Sequence, residues 1–183
     1  MYDALVLAGG GARRMGGADK TALVVGGVSL LDRVLAACAG AATTVVVGPE
    51  RETCRPVLWT REEPAGSGPV AAVAAALELV SAERLVLLAG DLPFLTREVI
   101  EVLLGAIEDD GSMLTDDNGR DQYLCSAWRT ASLRGADLTT DRLGLLLGAL
   151  RTRRVVLPTV PGTPAPWLDC DTEDDLQHAR ELA

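Results

Sequence analysis

The sequence has almost no histidine and few cysteines, and this scarcity limits the metal chemistry open to it. His178 is the single histidine among 183 residues, and the four cysteines (Cys38, Cys54, Cys125 and Cys170) form no CxxC pair. A zinc site needs several such ligands at short spacings. We therefore interpret the cysteines as reduced, small apolar residues and His178 as a surface residue of a C-terminal helix.

Long apolar runs and an excess of positive charge are also missing. No run approaches the about 20 residues of a membrane helix, and the chain enters a predicted strand by Ala4, which leaves no room for a signal peptide. The net charge is −9, whereas a nucleic-acid surface needs a broad basic patch. We expect a cytoplasmic protein without nucleic-acid or membrane partners, in which any site for a polyanion is local.

The composition and the order of segments predict one α/β domain. With 183 residues and 48% hydrophobic content, the chain can bury one sizeable core. Strand-like and helix-like segments alternate through residues 1–110, which predicts βαβ units in a doubly wound, mostly parallel sheet with helices on both faces. The predicted strands are Ala4–Leu7, Thr43–Val47, Pro56–Trp59 and Arg84–Leu88, and the predicted helices are Ser29–Ala39, Gly68–Val80 and Thr96–Glu108.

Residues 111–183 have a less regular pattern. Two strands, Ser112–Thr115 and Tyr123–Trp128, flank a polar turn, and a helix over Arg142–Leu150 precedes a strand over Arg154–Leu157. The proline-rich segment Pro158–Pro166 predicts irregular structure. A last helix is predicted to begin at Thr172, where a capping hydroxyl precedes three acidic residues.

The most informative segment is residues 4–20. An apolar strand ends at three glycines, Gly9–Gly11, and Arg13, Arg14 and Lys20 follow within the next nine residues. Glycines allow backbone N–H groups to approach a ligand closely, and clustered cations suit phosphate. The spacing matches neither the P-loop nor the dinucleotide-binding motif. We interpret the segment as a cradle for a nucleoside triphosphate; a solvent-exposed turn between strand and helix is the alternative.

The run LAGGGARRMGGADK, residues 7–20, resembles the signature LAGGxSxRMGxDK of molybdenum cofactor guanylyltransferases. These enzymes belong to the wider nucleotidyltransferase family that activates sugars and cofactors. Further resemblances follow in the family's order at Gly68–Ala71, Gly90–Phe94, Gly119–Gln122 and Asp171–Leu176. The resemblance implies a Rossmann-like fold of the nucleotide-diphospho-sugar transferase type. It also implies a single domain, 1–183, with a nucleotide-binding half of about 1–110 and an acceptor-binding half of about 111–183.

The resemblance assigns catalytic roles to Arg14, Lys20 and Asp91. Asp91 follows a predicted strand, where a carboxylate can hold Mg²⁺ against phosphate oxygens. Its alternative role is to cap a turn before the helix at Thr96, although Thr96 already suits the capping position. The matching family residues bind the catalytic magnesium (Asp91), contact the nucleotide (Lys20) and neutralise the triphosphate (Arg14). Arg13 either joins them or points to solvent. The predicted nucleotide-binding residues are Leu7, Ala8, Gly9, Gly10, Gly11, Arg13, Arg14, Lys20, Glu62 and Asp91.

Recognition of the base is predicted to involve Glu62. A carboxylate can accept hydrogen bonds from N1–H and the exocyclic amine of guanine together. A charge run on the surface, shared with Glu63, is an equally good account. Gly48 stands where relatives often carry asparagine. The pair Gly9-Gly10 is similar to guanylyl-transferring rather than cytidylyl-transferring relatives.

The acceptor is predicted to contact Arg120 and Gln122, because Gly119–Gln122 resembles the family's second-substrate region. Arg120 would pair with the acceptor's phosphate and Gln122 would hydrogen-bond the pterin edge. A polar hairpin tip is the alternative. Near the C-terminus, Asp169 and Asp171 lie where relatives often show Asn-x-Asn-Thr-Pro. Either could supply a second metal contact, or Asp171 could be structural.

The resemblance implies that GTP and molybdenum-bound molybdopterin react, with Mg²⁺, to give molybdopterin guanine dinucleotide and pyrophosphate. It also implies transient contact with molybdoenzymes or cofactor-delivery proteins. One alternative is a related transferase that uses CTP or another phosphorylated acceptor. The other is a non-catalytic nucleotide- or pterin-binding protein, acting as a sensor or chaperone.

Overall fold

The computed structural model describes residues 1–9, 20–158 and 160–183 of the chain. The strands are β1 (Asp3–Leu7), β2 (Val24–Val25), β3 (Val28–Ser29), β4 (Thr44–Val47), β5 (Leu58–Thr60), β6 (Arg84–Ala89), β7 (Gly111–Thr115), β8 (Asp121–Arg129) and β9 (Thr152–Val155). The helices are α1 (Leu30–Ala37), α2 (Pro69–Leu77), α3 (Arg97–Gly105), α4 (Thr130–Arg134), α5 (Leu143–Gly148) and α6 (Glu173–Leu182). Two single 3₁₀ turns cover Lys20–Ala22 and Cys38–Gly40.

Seven of these strands form one mostly parallel sheet, in the order β5-β4-β1-β6-β8-β7-β9. The strand β8 is antiparallel to both of its neighbours, and the other pairs are parallel. The fold is therefore the predicted doubly wound α/β fold. Sequence order reverses at β1, because β4 and β5 extend the sheet on one side of it and β6 on the other.

Both faces of the sheet are covered by helices, which explains why β1, β4 and β6 contain continuous apolar runs. Side chains alternate along β1: Ala4 and Val6 pack with α1 and α3, whereas Leu5 packs with α2 and α5. The two helical layers contribute residues such as Leu35 and Ile100 on the first face. This arrangement confirms the prediction of helices on both faces.

Threonine and serine caps begin three helices where the sequence predicted them. The hydroxyl of Ser29 accepts a hydrogen bond from the Asp32 N–H at 3.1 Å, and that of Thr96 accepts from the Val99 N–H at 3.4 Å. Thr172 and Asp175 form a reciprocal capping box at α6. These caps satisfy backbone donors that a helix leaves free in its first turn.

A buried carboxylate that the sequence did not single out holds the amino ends of the strands together. Asp3 is fully buried in β1. Its carboxylate accepts hydrogen bonds from the backbone N–H groups of Thr43 at 3.0 Å, Ser81 at 2.8 Å and Ala82 at 2.9 Å. The loops before β4 and β6 are thereby fixed to the central strand, so the opposite, carboxyl ends of these strands are set in register.

The minor residue types lie mostly where the sequence predicted them. All four cysteines are free, and three are buried; Cys54 is exposed. His178 lies on the exposed side of α6. Across the residues that the structure describes, no helix combines the length and apolarity needed to cross a membrane.

Candidate active site

The candidate site lies where the carboxyl ends of β1, β4 and β6 meet. The strands β1 and β6 are paired in parallel up to Leu7 and Ala89, so Gly9 and Asp91, which follow these strands, line one cavity. Ligands of open α/β sheets bind at such a switch point. The Gly90 N–H donates to the Leu7 carbonyl at 2.9 Å, so the two loops begin side by side.

A cavity of about 640 Å³ opens at this point. Its volume is within the usual range for small-molecule sites, about 300–1,000 Å³. Six residues predicted to bind nucleotide line it: Leu7, Ala8, Gly9, Lys20, Glu62 and Asp91. Four other predicted residues, Gly10, Gly11, Arg13 and Arg14, lie outside the described residues, and their roles stay predictions.

Lys20 forms an ion pair with Asp171 across the mouth of the cavity. The side chain of Lys20 is 15% exposed and that of Asp171 is 50% exposed. This contact joins the turn Lys20–Ala22 to the segment before α6. Asp171 is therefore more than a neighbour of the cap Thr172: it is part of the cavity wall and holds the ammonium group in place.

Asp91 lies half-buried in the cavity wall, and its charge is disfavoured there. Burial, the largest cause, and the neighbouring carboxylates of Asp169 and Asp171 together raise the pKa of Asp91 from 3.8 to about 6, against the lowering effect of Lys20. Loss of hydration and the charge of Asp171 also raise the pKa of Asp169. A site with concentrated negative charge of this kind favours a cation. The cap of α3 itself is Thr96.

The carboxylates of the cavity suit Mg²⁺ only when substrate phosphates complete its coordination. Among the residues that the structure describes, no three carboxylate, imidazole or thiol groups converge closely enough to hold a metal by themselves. Mg²⁺ typically takes one or two protein carboxylates and completes its octahedron with water and substrate phosphates. Asp91, with Asp169 or Asp171, fits that pattern.

Glu62 is buried at 9% exposure and lines the cavity. Its Oε1 accepts a hydrogen bond from the Gly66 N–H at 2.9 Å, which shapes the loop before α2. The alternative of a surface charge run is therefore wrong for Glu62, although it describes the exposed Glu63. The two adjacent glutamates differ because the loop turns the side chain of Glu62 inward and leaves that of Glu63 in solvent.

Gly48 lies where the backbone leaves no room for a side chain. The end of β4 approaches β1 so closely that a Cβ at Gly48 would lie 2.8 Å from the carbonyl carbon and oxygen of Ala8. Such a distance is below any van der Waals contact, so a side chain at this position would separate the two strands.

The predicted acceptor residues lie on the hairpin of β7 and β8. Arg120 is exposed, and its backbone N–H donates to Asp116 Oδ1 at 2.9 Å. The side chain of Gln122 donates to Asp116 Oδ2 at 3.2 Å. Neither Arg120 nor Gln122 is among the described residues that line the 640 Å³ cavity. Both features match the alternative of a polar hairpin tip.

The sequence missed several cavity residues, which come mainly from the start of α2. Pro69 and Ala72 of this helix line the cavity with Gly66, Gly68 and Leu124. The signal in the sequence is Gly-Ser-Gly-Pro, because Gly66 and Gly68 have φ of +85° and +101° and Pro69 is the first residue of the helix. The turn directs the helix start towards the ligand space.

Comparison with known proteins agrees with this geometry. Residues 4–155 match the family model of the MobA-like NTP transferase domain. The chain is 32% identical to a molybdenum cofactor guanylyltransferase of Rhodobacter capsulatus over 97% of this chain and 94% of that one. It also resembles a solved molybdopterin-guanine dinucleotide biosynthesis protein A of Archaeoglobus fulgidus, with TM-score 0.75, 22% identity and coverage of 98% and 97%.

The fold alone does not identify the base or the acceptor. A 2-C-methyl-D-erythritol 4-phosphate cytidylyltransferase of Thermus thermophilus superimposes with TM-score 0.72 at 22% identity, covering 100% of this chain and 98% of that one. The family model spans most of the chain and starts at the strand that leads into the cavity. The protein is thus a nucleotidyltransferase and belongs to the MobA-like NTP transferase family.

Proposed function

We propose that the protein transfers GMP from GTP to the terminal phosphate of molybdenum-bound molybdopterin, releasing pyrophosphate. The observation that carries the proposal is the convergence of Gly9, Lys20, Glu62 and Asp91 on one cavity at the switch point of the sheet. The backbone of Gly9 and the ammonium group of Lys20 suit the phosphates of a triphosphate, and the carboxylate of Asp91 suits a metal ion bound to them. The relatives named molybdenum cofactor guanylyltransferase support the choice of substrates.

The proposed reaction is an in-line displacement. An oxygen of the acceptor's phosphate attacks the α-phosphorus of GTP, and a new P–O bond forms. The bond from the α-phosphorus to the bridging oxygen breaks, and pyrophosphate leaves with its electron pair. The attacking phosphate is already an anion, so the protein needs no general base. Positioning and charge stabilisation are therefore its main tasks.

The residues of the cavity divide these tasks. Lys20 would leave Asp171 for the phosphates and stabilise charge as pyrophosphate departs. We propose the same role for Arg14 and Arg13. Asp91, with Asp169 or Asp171, would hold Mg²⁺, which when bound supplies neutralising charge to the phosphate oxygens. Glu62 would accept from the N1–H and amine of guanine while its Oε1 continues to fix Gly66.

The remaining expectations belong to the same proposal. Arg120 and Gln122 would contact the acceptor from the β7–β8 hairpin, and both side chains are near enough to solvent to be reached. The product would pass to molybdoenzymes or to proteins that deliver the cofactor. We propose a cytoplasmic location for this protein.

Transfer of radioactive label tests the proposal. GTP, CTP and ATP labelled at the α-phosphate are each offered with Mg²⁺ and molybdenum-loaded molybdopterin to the wild type and to Asp91→Ala. The matched control is Asp137→Ala, on an exposed loop. We expect transfer from GTP alone, unchanged in Asp137→Ala and about 10²–10³-fold slower in Asp91→Ala.

Other outcomes of the same assay would redirect the function. Transfer from CTP would make the protein a cytidylyltransferase that shares the fold. Nucleotide binding without transfer of label from any nucleotide would favour a sensor or a chaperone. Full activity of Asp91→Ala would remove Asp91 from the mechanism.

A further inference from the structure

A second cavity, of about 230 Å³, lies beyond the nucleotide cavity at the same edge of the sheet. Its walls come from the loop after β6, the start of α3, the tip of the β7–β8 hairpin and the proline-rich segment after β9. It is smaller than the about 300 Å³ at the lower end of small-molecule sites. A cavity of this size accepts a ring system and leaves the rest of a larger ligand outside.

Two aromatic side chains line this cavity. The chain has one phenylalanine and three tryptophans. Phe94, the single phenylalanine, and Trp167 both line the cavity, beside Val99 and Leu157. Both aromatic residues are only half-buried. Partly exposed aromatic faces in a concave apolar site suit the stacking of a flat heteroaromatic ring.

The two aromatic walls lead directly to the reacting centre. Phe94 follows Asp91 by three residues, a length of chain that spans at most about 11 Å. Trp167 precedes Asp169 and Asp171 in the segment that ends at the ion pair with Lys20. The carboxylates thus lie on the chain between the second cavity and the nucleotide cavity, where a phosphate attached to a bound ring would meet the α-phosphate of a nucleotide.

The polar part of the lining suits a ring that donates hydrogen bonds. Asp117, at the hairpin tip, lines the cavity with the hydroxyl-bearing Thr96 and Thr163. A carboxylate accepts from the adjacent N–H and amino groups that a pterin presents on its pyrimidine edge. The hairpin that contributes Asp117 also carries Arg120, so one element presents a carboxylate and a cation near the same ligand.

We infer that the 230 Å³ cavity binds the pterin ring of the acceptor, with Phe94 and Trp167 stacking on it and Asp117 accepting from its donor edge. This inference rests on the proposed function for the identity of the acceptor. It adds a specificity site that is separate from the nucleotide cavity. The two cavities then hold the two substrates on opposite sides of Asp91.

Binding of a stable pterin provides a test that does not depend on turnover. The probe is 6-hydroxymethylpterin, titrated by calorimetry into the wild type, Trp167→Leu and Phe94→Leu, each checked for folding by circular dichroism. The matched control is Trp59→Phe, a half-buried tryptophan of β5 at the other end of the sheet. We expect at least tenfold weaker binding in the first two variants, wild-type binding in the control, and no competition by GTP.

Kinetics of label transfer separates this inference from the proposed function. We expect Trp167→Leu to raise KM for molybdenum-loaded molybdopterin at least tenfold and to leave KM for GTP unchanged. Competition between the probe and GTP, or wild-type pterin binding by both variants, would overturn the inference even if the wild type transfers GMP. A dimer that dissociates in Trp167→Leu would also overturn it, since a second copy would then occupy the cavity. If the wild type binds the probe as expected but transfers no GMP, the inference stands and the proposed function fails.

Discussion

At the residue scale, Asp91 carries a charge that the folded protein disfavours in the absence of ligand. Burial and the nearby Asp169 raise its pKa from 3.8 to about 6. The folded state therefore binds this proton more tightly than the unfolded chain does. The resulting stability is fully present below about pH 4 and is lost as the pH rises through about 6. At neutral pH the site is held in a state that favours a bound cation.

We predict that Asp91→Asn raises the free energy of unfolding of the ligand-free protein at pH 7.5 by roughly 1–3 kcal/mol. The amide keeps the shape of the carboxylate and removes its charge. The difference from the wild type should vanish below about pH 4, where Asp91 is protonated in both states. Urea denaturation at a series of pH values measures it.

Asp137→Asn is a control variant, because the pKa of Asp137 is shifted in the opposite direction to that of Asp91 and the expected change in stability is therefore opposite. Hydrogen bonds from Thr139 lower the pKa of Asp137, so its contribution to stability is present above its ordinary pKa and is lost as the pH falls. This variant should therefore be less stable than the wild type at neutral pH and equal to it in acid. A neutral-pH loss of stability in Asp91→Asn would contradict the raised pKa of that residue.

Sequence alone can identify Asp91 and Lys20, because each follows a recognisable strand or glycine segment. It cannot show that Asp171 pairs with Lys20, since that contact joins residues 151 positions apart and depends on how α6 folds back. It also could not decide whether Glu62 points inward, because two adjacent glutamates differ only in the direction that the loop gives them. Long-range contacts and loop direction are the information that the pattern lacks.

At the scale of elements, the caps of α3 and α6 differ in strength. Thr172 accepts from the Asp175 N–H at 3.1 Å, and Asp175 Oδ2 accepts from the Thr172 backbone N–H at 2.8 Å. Thr96 makes one longer bond, at 3.4 Å. We predict that Thr172→Ala costs about 1–2 kcal/mol of stability and Thr96→Ala about 0.5–1 kcal/mol. Thermal unfolding of both variants tests the order, and equal losses would contradict the reciprocal box.

The elements that sequence patterns predict correctly are those with buried, periodic side chains. The helices α1, α2 and α3 and the strands β1, β4 and β6 all lie within two or three residues of their predicted bounds. The edge strand predicted over Arg154–Leu157 is shifted as a whole by two residues, to Thr152–Val155, because parallel pairing with β7 aligns Thr152 with Gly111. An edge strand takes its bounds from its neighbour, which a local pattern does not contain.

Short elements were missed for a different reason. The helix α4 has five residues, fewer than two helical turns, so its apolar residues show no period. The two-residue strands β2 and β3 enclose Gly26 and Gly27, with φ of +57° and +81°. A pair of glycines between valines is a hairpin signal. That signal was in the sequence and could have predicted this hairpin.

At the scale of the whole molecule, the first and last parts of the chain close the site together. Val25 and Leu30 pack with Cys170, Leu176 and Ala179 in a small core of their own. This core fixes α6 beside the segment that begins at Lys20, and the ion pair with Asp171 extends the contact to the cavity. A ligand that engages Lys20 and the segment around Asp171 therefore stabilises contacts between residues from both ends of the chain.

We predict that GTP with Mg²⁺ stabilises the whole domain. A ligand that binds only the folded state at 100 times its Kd adds about 2.7 kcal/mol, which for a domain of this size raises Tm by about 5–10 °C. Lys20→Ala should lose most of this shift, whereas Arg129→Ala, an exposed residue at the far end of β8, should keep it. Differential scanning calorimetry with and without GTP and Mg²⁺ measures the shift. A full shift in Lys20→Ala would mean that the nucleotide is held without this lysine, and the cavity would then have to bind the phosphates through other groups.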